Sequence, residues 1–304
     1  MASSFTKTAT FASFGGKLLK LTHPSTATGT PMAVNVYLPP AALHPTSPSK
    51  VPVLFYLSGL TCTPDNATEK GFFQHAASKL GLALVFPDTS PRGLNLPGEK
   101  DNWDFGEAAS FYIDATLAPF DANYRMETYI TSELPSTLFA DAELGALLDS
   151  SRVAITGHSM GGHGALTLYL KNPGKYASVS AFAPISNPVK CPWGQKAFKG
   201  YLGGEEDEAE WKKHDATELV KGWKGRDLKA LVDVGTGDKF YLNGQLLPEN
   251  FEAAVKETGV EGLELRYQDG YDHSYFFMAS FADDHVYHAA KHLGLLDKSA
   301  SASL

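Results

Sequence analysis

Short apolar runs recur along the chain, and between them lie stretches whose apolar residues return at helical spacing. Val53-Leu54-Phe55-Tyr56-Leu57, Leu82-Ala83-Leu84-Val85-Phe86-Pro87, Arg152-Val153-Ala154-Ile155-Thr156, Val179-Ser180-Ala181-Phe182-Ala183, residues 228–234 and residues 263–267 read as strands. Those that are apolar throughout suit a parallel sheet covered on both faces. Residues 5–38 instead alternate, as in Lys17-Leu18-Leu19-Lys20-Leu21, which predicts early, antiparallel strands. Helices are expected over 72–80, 131–148, 162–170, 251–256 and 281–293. Residues 39–52 (Pro- and Ser-rich), 88–107 and 184–213 read as loops or irregular segments. Strands that alternate with helices, with no internal repeat and no change of composition, predict one α/β domain over residues 1–304. Its central sheet is mostly parallel and flanked by helices, and a polar tail occupies about 298–304.

Gly157-His158-Ser159-Met160-Gly161 lies between an expected strand and an expected helix, the setting that a G-x-S-x-G elbow requires. A side chain at 157 or 161 would collide with the neighbouring strand or helix, so glycine is needed there. Ser159 is thereby presented at the top of a sheet. A serine hydroxyl becomes a nucleophile when a base takes its proton and a third group orients that base. In α/β-hydrolases these partners follow in the order Ser, acid, His. Of ten histidines, His273, His285, His288 and His292 lie beyond the plausible acids. His273 sits in the loop after the last strand, where it can lean over the elbow. The other three share one helical face at a spacing that resembles a metal pair, but no Cys or carboxylate motif joins them, and a solvated or capping face is expected. His158 and His163 are expected to be packed or hydrogen-bonded. Asp238 follows a strand end and is the expected acid; Asp233 reads as structural, and Asp272 is a rival. The N–H groups of Met160 and of Leu60, in Ser58-Gly59-Leu60, are the expected oxyanion donors.

Composition narrows the class. The net charge is -8 with no basic block, which argues against a nucleic-acid surface. No apolar run reaches membrane-span length, and the N-terminal segment lacks a signal-peptide core. Two cysteines, Cys62 and Cys191, fit a reducing compartment. Cys62 reads as a small buried filler, with a low-pKa thiol that blocks the site on oxidation as the alternative. Cys62, Trp103 and Trp193 are candidates for the substrate pocket. The residues imply neither a metal nor an organic cofactor. The Ala302-Ser303-Leu304 ending lacks the basic residue of a peroxisomal address.

Longer blocks then carry a resemblance. Ser58-Gly59-Leu60-Thr61-Cys62-Thr63, Asp88-Thr89-Ser90-Pro91-Arg92-Gly93, the stretch from Gly157 to Leu166, Asn187-Pro188-Val189-Lys190-Cys191-Pro192-Trp193-Gly194, Gly244-Gln245-Leu246-Leu247-Pro248 and Gly270-Tyr271-Asp272-His273-Ser274-Tyr275 resemble the S-formylglutathione hydrolase (esterase D) family over roughly residues 5–295. The resemblance implies a cytosolic, usually homodimeric serine hydrolase that cleaves S-formylglutathione to glutathione and formate in formaldehyde detoxification. It assigns Ser159 as nucleophile, Asp238 as acid, His273 as base, and Leu60 and Met160 as oxyanion donors. The chain departs from the family pattern at Glu107-Ala108-Ala109-Ser110, where a Gly-Ala-Gly run is expected, and in a longer 39–52 loop. A general short-chain carboxylesterase and a non-catalytic binding protein on the same fold are the alternatives.

Overall fold

A computed structural model describes residues 4–44, 50–225 and 227–296. Nine strands form one sheet in the order β1-β2-β3-β5-β4-β6-β7-β8-β9. The first three, β1 (Thr6–Ser13), β2 (Gly16–Pro24) and β3 (Pro31–Leu38), are antiparallel, as their alternation predicts. The other six, β4 (Val51–Leu57), β5 (Ala83–Pro87), β6 (Leu148–His158), β7 (Val179–Phe182), β8 (Ala230–Gly235) and β9 (Leu263–Gln268), run parallel to one another. Every residue of β4, β5, β7 and β8 is buried, because helices cover both faces of the central sheet. No residue of the outer strands β1 and β9 is buried, and β1 is mostly exposed.

From β4 the chain passes to β5 on one side and then to β6 on the other, so the order reverses beside β4. Such a reversal leaves a crevice at the carboxyl ends of the strands, and ligands bind there in open α/β sheets. The loops after β4, β6, β8 and β9 carry Leu60, Ser159, Asp238 and His273 respectively.

Several helices differ from expectation. After β4 the loop expected at 58–64 is kept over 58–63 and leads into α1 (Pro64–Lys70), capped reciprocally by Thr63 and Asn66. The next helix, α2 (Gln74–Leu80), lies where expected. The helix expected over 131–148 instead begins at Met126, passes through a π turn at Tyr129–Glu133 and continues as α3 (Leu134–Ala140). It breaks because the Asp141 carboxylate takes the N–H groups of Glu143 and Leu144. The elbow helix α4 (Met160–Lys171) follows β6 directly. Within the stretch read as irregular lies α5 (Pro192–Leu202), and a short α6 (Ala216–Val220) follows, capped by Asp215. Next comes α7 (Pro248–Thr258), and the closing helix α8 (Tyr275–His292) starts six residues earlier than expected, capped by Ser274. The expected tail at 298–304 and part of the 39–52 loop lie outside the described residues.

Candidate active site

The β6–α4 junction is tight. Ser159 takes φ 59° and ψ -118°, a strained conformation for a residue with a side chain. A Cβ on Gly157 would lie 2.2 Å from the Gly161 carbonyl oxygen, and one on Gly161 would lie 2.0 Å from the Leu57 carbonyl oxygen. Backbone meets backbone at both points, so only glycine closes the turn. The Ser159 N–H donates to the Phe182 carbonyl at 2.9 Å, and the Ser159 carbonyl accepts from His163 N–H at 2.9 Å. The elbow is thus held from β7 and from its own helix.

Asp238 and His273 meet across two loops. The Asp238 carboxylate is fully buried; its Oδ2 lies 2.5 Å from His273 Nδ1. Its Oδ1 accepts from the N–H groups of Phe240 at 2.7 Å and Tyr241 at 3.4 Å, at the start of the single helical turn Lys239–Leu242. A carboxylate fixed in this way presents one oxygen to the imidazole. Gly235 and Gly237 allow the approach, since a Cβ on either would press on the 270–272 backbone. His273 is further held between rings: Phe240 at 4.8 Å and His158 at 4.6 Å. Among the described residues His273 Nε2 has no hydrogen-bond partner, Ser159 Oγ included. Such contacts tighten on substrate binding in many hydrolases.

The other candidates separate cleanly. Asp233, inside β8, binds Arg266, Gln268 and His285 and is structural, as expected. Asp272 faces solvent and caps the turn at Ser274. His285 is not on a solvated face: it is fully buried, stacked 3.6 Å from Phe182 and bonded to Asp233. His288 meets the Lys229 carbonyl at 3.1 Å, and its ring lies 4.9 Å from that of His292. Burial keeps His158 and His163 neutral, lowering the first well below its ordinary value and the second to about 3. The former packs; the latter donates to the Phe111 carbonyl.

Leu60 lies in a loop that touches the elbow: a Cβ on Gly59 would sit 3.1 Å from Ser159 Cβ. The loop is clamped by residues that motif reasoning quotes without a role. Tyr112 Oη donates to the Ser58 carbonyl at 2.9 Å. Thr89 Oγ1 at 2.6 Å and Arg92 Nη2 at 2.9 Å donate to the Cys62 carbonyl, and Asp88 holds Arg92 through two bonds. Ala108 accepts from Thr61 N–H at 3.1 Å while itself adopting φ 62°, a left-handed conformation where glycine is the easier residue. The departure at 107–110 therefore stands directly behind this loop. The N–H groups of Leu60 and Met160 make no hydrogen bond among the described residues.

A family model described as a putative esterase matches residues 25–288. The S-formylglutathione hydrolase of Mus musculus is 52% identical over 280 residues, which cover 92% of this chain and 95% of that protein. That of Arabidopsis thaliana is 48% identical over 295 residues, covering 97% and 100%. The chain belongs to the S-formylglutathione hydrolase family. A solved S-formylglutathione hydrolase from Agrobacterium tumefaciens has a TM-score of 0.87 at 44% identity, covering 95% of this chain and 99% of that one. A fluorophosphonate-binding serine hydrolase of Staphylococcus aureus, 17% identical with a TM-score of 0.69, shares the α/β-hydrolase fold.

In this member of the S-formylglutathione hydrolase family the pocket candidates fall into two kinds. Trp193, at the start of α5, is buried and packs 4.6 Å from Phe240, which in turn packs on His273. Trp103 is 55% exposed and meets Trp193 edge to face at 5.6 Å. Both tryptophans thus continue an aromatic wall that begins at His273. Cys62 is buried, with its sulfur 3.8 Å from Tyr275 Oη. Burial pushes its thiol above the ordinary value despite that contact, the opposite of a low-pKa thiol. Among the described residues no helix is long and apolar enough to cross a membrane.

Proposed function

We propose that the chain hydrolyses S-formylglutathione to glutathione and formate through Ser159, His273 and Asp238. The observation that carries this reading is the 2.5 Å Asp238–His273 pair beside a strained serine elbow, in a chain of this family. His273 Nε2 takes the Ser159 Oγ proton as the oxygen attacks the formyl carbonyl, and the Leu60 and Met160 N–H groups receive the oxyanion. The C–S bond breaks, and the departing sulfur takes the proton from His273. Water then gives a proton to His273 and attacks the formyl ester; formate leaves as Ser159 recovers its proton. Asp238 keeps the Nδ1 proton in place and stabilises the imidazolium throughout. The whole chain is read as one catalytic domain, cytosolic and homodimeric, serving formaldehyde catabolism. Both cysteines are free, which fits a reducing compartment.

The test is kcat/KM for S-formylglutathione beside that for p-nitrophenyl acetate, on the wild type and on Ser159→Ala. Preference for the thioester by orders of magnitude, with both activities lost in the variant, is the expected result. Equal or better hydrolysis of the acetate ester would keep the triad but replace this substrate with short-chain esters in general.

A further inference from the structure

A cavity of about 250 Å³ lies between α3, the strands β4 and β6, and the loop that joins α4 to β7. Its floor is apolar: Phe55 from β4, Val153 from β6 and Phe139 from α3. Val153 stands five residues before the end of β6 at His158, which at about 3.3 Å per residue is about 16 Å along the strand. Ser159, Asp238 and His273 are not among the lining residues, so this is a different place from the catalytic crevice.

The rim carries hydrogen-bond donors that the fold does not use up. Thr131 and Ser132, which line the cavity, belong to the π turn Tyr129–Glu133, and such turns are frequent at functional sites. Pro135, four residues after Thr131, has no N–H to offer the Thr131 carbonyl, and Lys175 Nζ donates there instead. An ammonium group has three protons to give, so Lys175 keeps donors for a further acceptor. Partial burial lowers its pKa, and no carboxylate among the described residues raises it. The nearby acids are engaged elsewhere: Glu127 with Lys171, Asp149 with Arg152, and Glu133 with Ser25 and Thr26. Tyr176, next in the chain, is 5% exposed, and its hydroxyl is buried with no partner among the described residues. Burial and the Glu127 charge push the Tyr176 pKa up, so this hydroxyl keeps its proton and is a donor. A buried donor without an acceptor is destabilising, and a ligand that brings the acceptor gains by it.

We propose that this cavity binds a small monocarboxylate with an apolar body, its carboxylate held by Lys175, Tyr176 and Ser136 and its body laid on Phe55, Phe139 and Val153. One ammonium group without a counter-charge matches one negative charge. The donors come from two sides, α3 and the α4–β7 loop, and a carboxylate has an oxygen for each. An apolar cavity of about 150 Å³ takes benzene, so in proportion this one takes a ring or chain of about ten heavy atoms. Binding here needs no acyl chemistry and goes beyond the thioesterase reading.

The experiment titrates the full chain with benzoate, and with benzamide as the uncharged control, by saturation-transfer NMR with the Tm followed in parallel. Wild type, Lys175→Gln and Ser136→Trp are compared: glutamine keeps a donor for the Thr131 carbonyl but loses the charge, and tryptophan fills the cavity from its mouth. Benzoate is expected to bind the wild type saturably, to raise its Tm, and to bind about fivefold or more tightly than benzamide. Lys175→Gln should erase that preference, and Ser136→Trp should weaken benzoate about tenfold or more. Benzoate affinity unchanged in both variants, together with competitive inhibition of p-nitrophenyl acetate hydrolysis, would place the probe at Ser159 and overturn the cavity. A wild type that benzoate does not saturate, or that binds benzamide equally well, overturns it without any variant.

Discussion

Ser159, Asp238 and Arg92 act at the scale of single atoms, and each does so through a contact that can be removed. Replacing one carboxylate oxygen of Asp238 by an amide removes the acceptor at 2.5 Å from His273 Nδ1 and favours the wrong tautomer. Asp238→Asn should lower kcat by about 10³–10⁴-fold with the Tm little changed, as read by steady-state kinetics beside thermal denaturation; near-normal turnover would remove Asp238 from the triad. Arg92 works at one remove, by holding the Cys62 carbonyl and with it the Leu60 loop. Arg92→Leu is expected to cut kcat by about ten- to a hundredfold while KM changes little, because a small displacement of an oxyanion donor is felt in the transition state. Gly161 gives a sharper structural case. Helix propensity alone favours Gly161→Ala by about 1 kcal/mol, but the new Cβ would lie 2.0 Å from the Leu57 oxygen, which is backbone and cannot step aside. The variant should lose several kcal/mol in urea denaturation, since overpacking against main chain exceeds the propensity gain.

Between elements, the junction of β8, β9 and α8 is tied by one buried carboxylate. Asp233 binds Arg266 from β9 at 2.7 and 2.5 Å and His285 from α8 at 3.0 Å. Burial alone would raise the Asp233 pKa, but the Arg266 and His285 hydrogen bonds outweigh it and hold the carboxyl well below its usual range. A carboxyl whose folded pKa is depressed contributes stability that is present above its unfolded value of about 3.9 and is lost as pH falls further. Arg266→Leu strands the charge and should cost about 3–5 kcal/mol at pH 7. The deficit should shrink below about pH 4, where the carboxyl of the variant is neutral. Urea denaturation of both proteins at pH 7 and pH 3 checks the sign; an equal deficit at both would mean that Arg266 acts by packing alone. At the same junction His285 Nε2 is taken by Asp233 and its ring lies on Phe182, so this imidazole belongs to the packed interior of α8 rather than to a solvated face.

For the whole molecule, strand order decides where chemistry can occur, because the reversal beside β4 gathers four loops from distant parts of the chain at one crevice. The homodimer reading belongs at this scale too. Sedimentation equilibrium should give a mass near twice the 32.7 kDa of one chain, and a monomer at micromolar concentration would reject it. By itself the sequence determined the elements whose patterns are local. The buried runs at β4, β5 and β8 read as strands because both faces are covered, and the elbow read as an elbow because glycines flank a serine between a strand and a helix. The order of acid and base along the chain left four histidines, and position in strand-end loops then favoured Asp238 and His273, which the structure brings to 2.5 Å. Helix α5 escaped because Gly194 and Gly200 weaken its propensity, although a Cβ at either would strike Pro188 or Phe105 and so the glycines are required by packing. The first turns of α8 escaped because Phe276, 85% exposed, breaks the apolar stripe. Only the tertiary structure decided that Asp88, Thr89 and Arg92 clamp the Leu60 loop and that His285 is buried rather than solvated. Each of these depends on residues distant in sequence meeting in space, and local periodicity carries no record of that.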